Sequence, residues 1–271
     1  MSPEPDHRLL GPPHSTDSSR GNLVVQSRTG GKEAVLKVYR PRHGPLGEGL
    51  ADFSQRCIEG KRGARPRRRR DTERESLEVW RVHGFDAPAV LAGEAPDWAK
   101  PHPVLWMEYL PGRTLFEYLE DPRASREERI MVLGSFAESC ARRHRTAVAT
   151  GETRLVQEHP SLRHVMVSGS RLATFDLENA YAAAFPVRIA VAFELSSTLR
   201  SMLRLGEGAF ESFLAAYAAP EILRESLGVF FAPSLRWRIY RWLETSRRGA
   251  SSKTAAMRRL AGWLGGGGPA L

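Results

Sequence analysis

The residue best placed by its surroundings to do chemistry is Lys37, in the run Ala34–Arg40 (AVLKVYR). Leu36 and Val38 flank it, so its charge lies inside an apolar strand and needs a counter-charge or a cleft to reach. Three acids on one candidate helix downstream, Glu73, Glu75 and Glu78, can supply the counter-charge. Glu75, eight residues before the helix-ending His83-Gly84-Phe85, is the expected partner. A second group is Asp176 with Glu178 in FDLEN. Asp176 ends an apolar strand carrying Leu172 and Phe175, and a carboxylate there suits a hard, oxygen-seeking cation such as magnesium. A third is the segment VQEHPSLRHVMV, which holds Glu158, His159 and His164. An imidazole accepts a proton near neutral pH, and Glu158 offers a carboxylate for the same task. A buried cation, a metal-seeking acid and a proton acceptor are what chemistry on a phosphate requires. The same histidines can instead hold their loop by hydrogen bonds, Asp176 can cap a turn, and Glu178 can be a surface residue.

The elements that must position these residues can be read in chain order. Asn22–Ser27 and Ala34–Arg40 alternate as two strands around Thr29-Gly30-Gly31-Lys32. Residues 41–70, rich in Gly, Pro and charge, are expected to form a long loop or a poorly formed helix. Asp71 is the expected N-cap of a helix to Val82, with Leu77 and Trp80 on one face. Pro88–Ala92 and Val104–Tyr109 are further strands. Helices are expected over Thr114–Leu119 and Ser125–Ala147, then a hairpin of Arg163–Val167 and Arg171–Phe175 turning at Ser168-Gly169-Ser170, and helices from Val187 until Gly265–Gly268. This order predicts an α+β chain with a loose segment at 1–20, a β-rich N-lobe at 21–110, a helical C-lobe at 111–264 and a flexible tail at 265–271.

The chain has 271 residues, 41% hydrophobic and 26% charged, which suits a soluble globular protein with a real core. No apolar run approaches the roughly 20 residues of a membrane helix. The first residues lack the apolar stretch of a signal peptide, and two cysteines, Cys57 and Cys140, argue against a disulfide framework. A cytoplasmic location is expected. The formal net charge of +9 is concentrated in Lys61–Arg70 (KRGARPRRRR) and in the last third. No helix-turn-helix, zinc-ligand spacing or RNA-binding aromatic pattern accompanies it, so nucleic acid is not the expected partner. The basic run fits a solvated loop or contact with anionic lipid or a phosphate-rich substrate. Arg236–Leu243 (RWRIYRWL) and Lys253–Leu264 (KTAAMRRLAGWL) mix bases with aromatics; Met257, Leu260, Trp263 and Leu264 recur at helical spacing. Packing against the C-lobe is the expected role of the latter, with an interfacial membrane helix as the alternative.

These segments, in this order, resemble the protein-kinase-like superfamily, nearest its lipopolysaccharide (Kdo and heptose) kinase, RIO-like and aminoglycoside-phosphotransferase-like branch. AVLKVYR resembles the third-strand lysine, ERESLEVWRVHGFDAPAVL the C-helix and its exit, and WMEYLPGRTL the hinge. RHVMVSGSRLATFDLENAY is similar to the catalytic-loop hairpin ending in the magnesium-binding aspartate. Phe193–Leu203 resembles the long buried helix beyond it, with Glu194 where kinases place an acid. The resemblance implies a two-lobed fold and an ATP- and Mg2+-dependent phosphotransferase acting on a hydroxyl acceptor. Lys37 would hold the phosphates, Glu75 would orient it, and backbone groups of Glu108 and Leu110 would bind adenine. Asp176 would bind magnesium, with Glu178 or His164 assisting. The basic segments would suit a lipid-linked sugar acceptor at the inner face of a membrane.

Three departures stand against the pattern. The position that carries the catalytic-loop aspartate in kinases is His159 here, and the asparagine position is His164. Either His159 or Glu158 stands in as base, or the chain is a pseudokinase that binds nucleotide without transferring phosphate. No Gly-x-Gly-x-x-Gly precedes the Lys37 strand, where Ser15–Gly21 reads STDSSRG. Insertions are expected between Lys37 and Glu75 and over Thr146–Arg154, as places for acceptor recognition.

Overall fold

Alternating apolar residues and a two-glycine turn build the first hairpin. In the computed structural model, which describes residues 8–9, 21–206, 208–233 and 252–265, β2 (Leu23–Thr29) pairs antiparallel with β3 (Lys32–Val38). Gly30 and Gly31 adopt φ of 55° and 77°, the left-handed pair that a two-residue turn matching strand twist requires. The expected loose segment at 1–20 lies outside the described residues, except β1 (Arg8–Leu9), which pairs with β2. The chain divides into two units, residues 1–112 with 168–182, and 113–167 with 183–271.

The first unit is a five-stranded antiparallel sheet of order β1-β2-β3-β5-β4, where β4 is Val90–Leu91 and β5 is Val104–Glu108. One face buries Ala34, Leu36 and Val38 with Trp106 and Ala99. Strand alternation therefore sends Lys37 and Tyr39 to the opposite face. Facing them is α2 (Pro66–Val82), which buries Leu77 and Trp80 as expected, along with Arg69, Thr72, Glu73 and Ser76. The segment between β3 and α2 is more regular than the sequence suggests. Pro45–Phe53 forms α1, a π-helical stretch follows at Ser54–Ile58, and α2 starts at Pro66 rather than Asp71. Proline at the first helical position needs no N–H bond, so the arginines after Pro66 enter the helix. The chain returns to this unit with β8 (Arg171–Thr174), whose Thr174 N–H donates to Asp86 O at 3.0 Å. Residues 180–182 are tied to the 60–62 loop by Arg62 N–H to Ala180 O and Ala182 N–H to Gly60 O.

In the second unit β6 (Arg113–Thr114) pairs with β7 (Val165–Ser168). Capping boxes at Thr114 and Ser125 start α3 (Leu115–Glu120) and α4 (Arg126–Thr150), at the two expected positions. Residues 146–154 are the last turn of α4, its left-handed cap Gly151 and a 3-10 turn at Thr153–Leu155. The long helix α5 (Val187–Arg204) buries Ala190, Val191, Leu195, Leu199 and Met202, and packs on α4, α6 (Ala209–Ala216), α7 (Pro220–Phe230) and α8 (Lys253–Gly265). Met257 and Leu260 of α8 are fully buried, so this helix packs as core. The RWRIYRWL segment at 236–243 lies outside the described residues.

Candidate functional site

Lys37 is 4% exposed, and its ammonium is ringed by carboxylates of its own unit: Asp176 Oδ1 at 2.5 Å, Glu73 Oε2 at 2.6 Å and Glu178 Oε2 at 3.2 Å. Burial opposes the charge, but Asp176, Glu178 and Glu73 together outweigh it and hold the ammonium protonated well above the ordinary lysine range. Glu73, not Glu75, is the helix acid that meets Lys37. It also accepts from the Tyr39 hydroxyl at 2.6 Å and has no exposed side-chain surface. Glu75 lies two residues on and turns away to Arg62, 2.7 Å distant. Two steps along a helix rotate a side chain by about 200°, so both cannot face the sheet. Burial pushes the Glu73 carboxyl up to about 7, against the pull of Lys37.

Asp176 stands just beyond β8 with φ 61°, the one non-glycine left-handed backbone among the described residues. Such a conformation costs roughly 1–3 kcal/mol and persists where the surroundings enforce it. Asp176 keeps 32% of its side chain exposed, whereas Glu73 and Glu178 keep 0% and 1%. Glu178 is held from several sides. It accepts from Asn22 Nδ2 and from Arg42, and Arg69 Nη1 lies 3.5 Å away. Arg69 is itself fully buried and donates to Asn22 Oδ1 at 2.6 Å, Arg40 O at 2.5 Å and Ala64 O at 2.9 Å. Burial works against the Glu178 charge, yet Lys37, Arg42 and Arg69 prevail and hold its carboxyl below the usual range. The sequence reading missed Tyr39, Asn22, Arg42 and Arg69. Tyr39, two residues from Lys37 and so on the same strand face, was a legible signal for a buried acid between them.

Carboxylate oxygens of Glu73, Asp176 and Glu178 lie within 4.8 Å of one another. Glu73 Oε1 is buried with no hydrogen-bond partner among the described residues. Arg42 and Arg69 balance Glu178, which leaves Glu73 and Asp176 against the single charge of Lys37. An orphaned oxygen, a hard donor set and a solvent-reaching aspartate fit a divalent cation such as magnesium, which keeps several waters and binds through one or two carboxylates.

The other expected residues fall elsewhere. Glu108 ends β5; its N–H donates to Ala89 O at 2.8 Å and its carboxylate takes Ala89 N–H at 3.0 Å and Arg171 at 2.9 Å. Beyond it the backbone leaves the ladder, and the Leu110 side chain is buried. Glu158, His159 and His164 belong to the second unit. His159 Nε2 lies 2.9 Å from Glu158 Oε2, with the imidazole 67% exposed and the Glu158 side chain 8% exposed. His164 ends the 3-10 turn Leu162–His164. This loop is anchored from α5: Gln157 N–H donates to Glu194 Oε2 at 2.8 Å, and Arg143 grips both Glu194 oxygens, Nη1 to Oε2 at 2.9 Å. Burial raises the Glu194 carboxyl, but Arg143 and His144 overcome it and hold it down at about 2.

Comparison with known proteins bears on both units. Solved structures similar to the chain include WaaP in complex with acyl carrier protein, 17% identical, covering 82% of this chain and 83% of that one, with a TM-score of 0.49. Another is the pseudokinase DRIK1 (drought responsive inactive kinase 1) bound to ENMD-2076, 13% identical over 94% of this chain and 81% of that one, with a TM-score of 0.41. No curated protein matches the chain significantly. The small antiparallel sheet with α2 and the helical second unit make an α+β fold. The model of the phosphotransferase enzyme family matches residues 16–159, more than half of the sequence. The chain therefore belongs to the phosphotransferase enzyme family.

Proposed function

We propose that the protein transfers the γ-phosphoryl group of ATP to a hydroxyl acceptor. The observation that carries this reading is the buried Lys37 ammonium held by Glu73 beside the solvent-reaching Asp176. Lys37 would leave Asp176 for the nucleotide phosphates while Glu73 keeps it in place. Asp176 would hold magnesium, with Glu73 Oε1 near, and the cation would neutralise charge on the phosphates. Glu178, clamped by Arg42 and Arg69, fixes the segment that carries Asp176 rather than serving as a free ligand. The backbone of Glu108 and Leu110 would receive adenine. In the transfer the bond from γ-phosphorus to the β-phosphate oxygen breaks as the acceptor oxygen bonds to phosphorus, and the hydroxyl proton passes to Glu158 or His159. His164 would support that loop or the metal. A lipid-linked sugar is the acceptor class we favour. ATP turnover with such acceptors tests the reading, with Lys37→Ala expected to lower it by about a hundredfold or more. Undiminished turnover in that variant would contradict it.

A second reading is favoured by one observation: the segment Val156–Val167 contains no aspartate, and its His159 is largely exposed. A pseudokinase that binds nucleotide and acts as a scaffold would need none. Wild-type transfer that disappears in Asp176→Ala excludes this second reading.

A further inference from the structure

Helix α1 is built inside out. Its buried residues are Glu48 and Asp52, 8% and 4% exposed, while Leu46, Leu50 and Phe53 are 87%, 72% and 61% exposed. The acids are fastened to backbone: Glu48 accepts the N–H of His43 at 2.9 Å and that of Arg42, and Asp52 accepts the N–H of Ala64 at 3.0 Å. Those bonds set the roll of the helix, so the apolar side cannot turn inward without stranding two carboxylates. Leu46, Leu50 and Phe53 stand at i, i+4 and i+7 and form one stripe facing water. A contiguous stripe, unlike a single exposed leucine, marks a contact surface.

Charge next to α1 points to what the stripe meets. Arg65 Nε and Arg68 Nε lie 3.7 Å and 3.9 Å from the Asp52 carboxylate, with their side chains 60% and 40% exposed. Arg56 joins them at Gly63, where an added Cβ would lie 2.5 Å from Asp52 Oδ1, 2.9 Å from Arg68 Cδ and 3.4 Å from Arg56 Cδ. One carboxylate faces the two guanidiniums of Arg65 and Arg68 there, the Arg56 side chain lies close by, and the exposed Arg67 adds another cation. We infer that this face of α1 docks on an anionic phospholipid surface, with Leu46, Leu50 and Phe53 entering the headgroup–acyl boundary and Arg56, Arg65, Arg67 and Arg68 meeting lipid phosphates. Leucines this exposed project from the surface, the shape that enters a headgroup layer. A protein partner would need a complementary groove and roughly 1,000 Å² of buried area. Among the described residues no helix is long and apolar enough to cross a membrane, so the contact is peripheral. The inference stands apart from the phosphotransfer reading, and its test needs no turnover.

The native Cys57, exposed and four residues beyond Phe53, gives a direct probe, since Cys140 is buried. The full chain is labelled there with a polarity-sensitive fluorophore and titrated with vesicles of phosphatidylcholine, with or without phosphatidylglycerol. The account expects a shift to shorter wavelength and co-flotation only with the anionic vesicles, weakened by salt. Leu50→Glu, a surface change whose fold is checked by circular dichroism, should weaken vesicle affinity about tenfold or more. Arg67→Gln should weaken it by about fivefold. Equal response to both vesicle types, an unaltered Leu50→Glu variant, or no vesicle response while an acidic protein shifts the label would each overturn the inference.

Discussion

Arg69 has no exposed surface, and its guanidinium joins the β3–α1 connection to Glu178 through Arg40 O, Asn22 and the carboxylate itself. Removing the Glu178 charge therefore strands Arg69. We expect Glu178→Gln to destabilise the protein by about 3–5 kcal/mol in urea unfolding, the usual cost of breaking a buried pair on one side. A merely solvated Glu178 would leave stability unchanged. At Lys37 we expect Glu73→Gln to lower phosphotransfer about a hundredfold by releasing the ammonium from its position, while Glu75→Gln changes it by about twofold or less. The reverse ranking would return the orienting role to Glu75. Lys37 and Asp176 were legible in the sequence because a charge inside an apolar strand and an acid at a strand end are conspicuous. The choice of Glu73 was not, because it depends on the rotation of α2 about its axis, which only packing under Tyr39 decides.

Element boundaries show the same division. The starts of α3 and α4 were readable because Thr114 and Ser125 carry local capping boxes with Glu117 and Glu128. Ser125→Ala should cost about 1 kcal/mol of stability, measured by denaturant titration, if the cap acts as its geometry indicates. No loss would show that tertiary packing alone holds that end of α4. By contrast α1 hides from a periodicity search for a buried face, since its apolar stripe points outward and its core contacts are carboxylates. Gly63 closes the loop after it with φ 121°, where any side chain is strained and meets Asp52 and Arg68. Gly63→Ala should destabilise by about 1–3 kcal/mol.

At the scale of the whole molecule, each unit is organised around a buried charge cluster, and the two clusters answer differently to conditions. In the second unit Glu194 is held at about 2, below its ordinary 4.5, through Arg143 and His144, and burial keeps His144 below its own ordinary value. Both groups have depressed values in the folded state, so the stability they supply is present at neutral pH and is lost on acidification. His144 acts as pH falls below about 6.5 and Glu194 between about 4.5 and 2; the latter contribution is about 3 kcal/mol. Thermal midpoints of Glu194→Gln should start lower and fall less steeply across that acid window than those of wild type. On the proposed function, the first unit answers to ligand instead. Its cluster of Lys37, Glu73 and Asp176 is the centre of the functional reading, and a ligand that binds only the folded state raises its stability. The most direct test is a thermal-shift titration of wild type and Asp176→Ala with ATP, in magnesium and in EDTA. The account predicts a rise in the midpoint of wild type with ATP and magnesium together, absent in EDTA and absent in Asp176→Ala. No rise in well-folded wild type, or one that survives in Asp176→Ala, would contradict a magnesium–nucleotide site at Lys37 and Asp176.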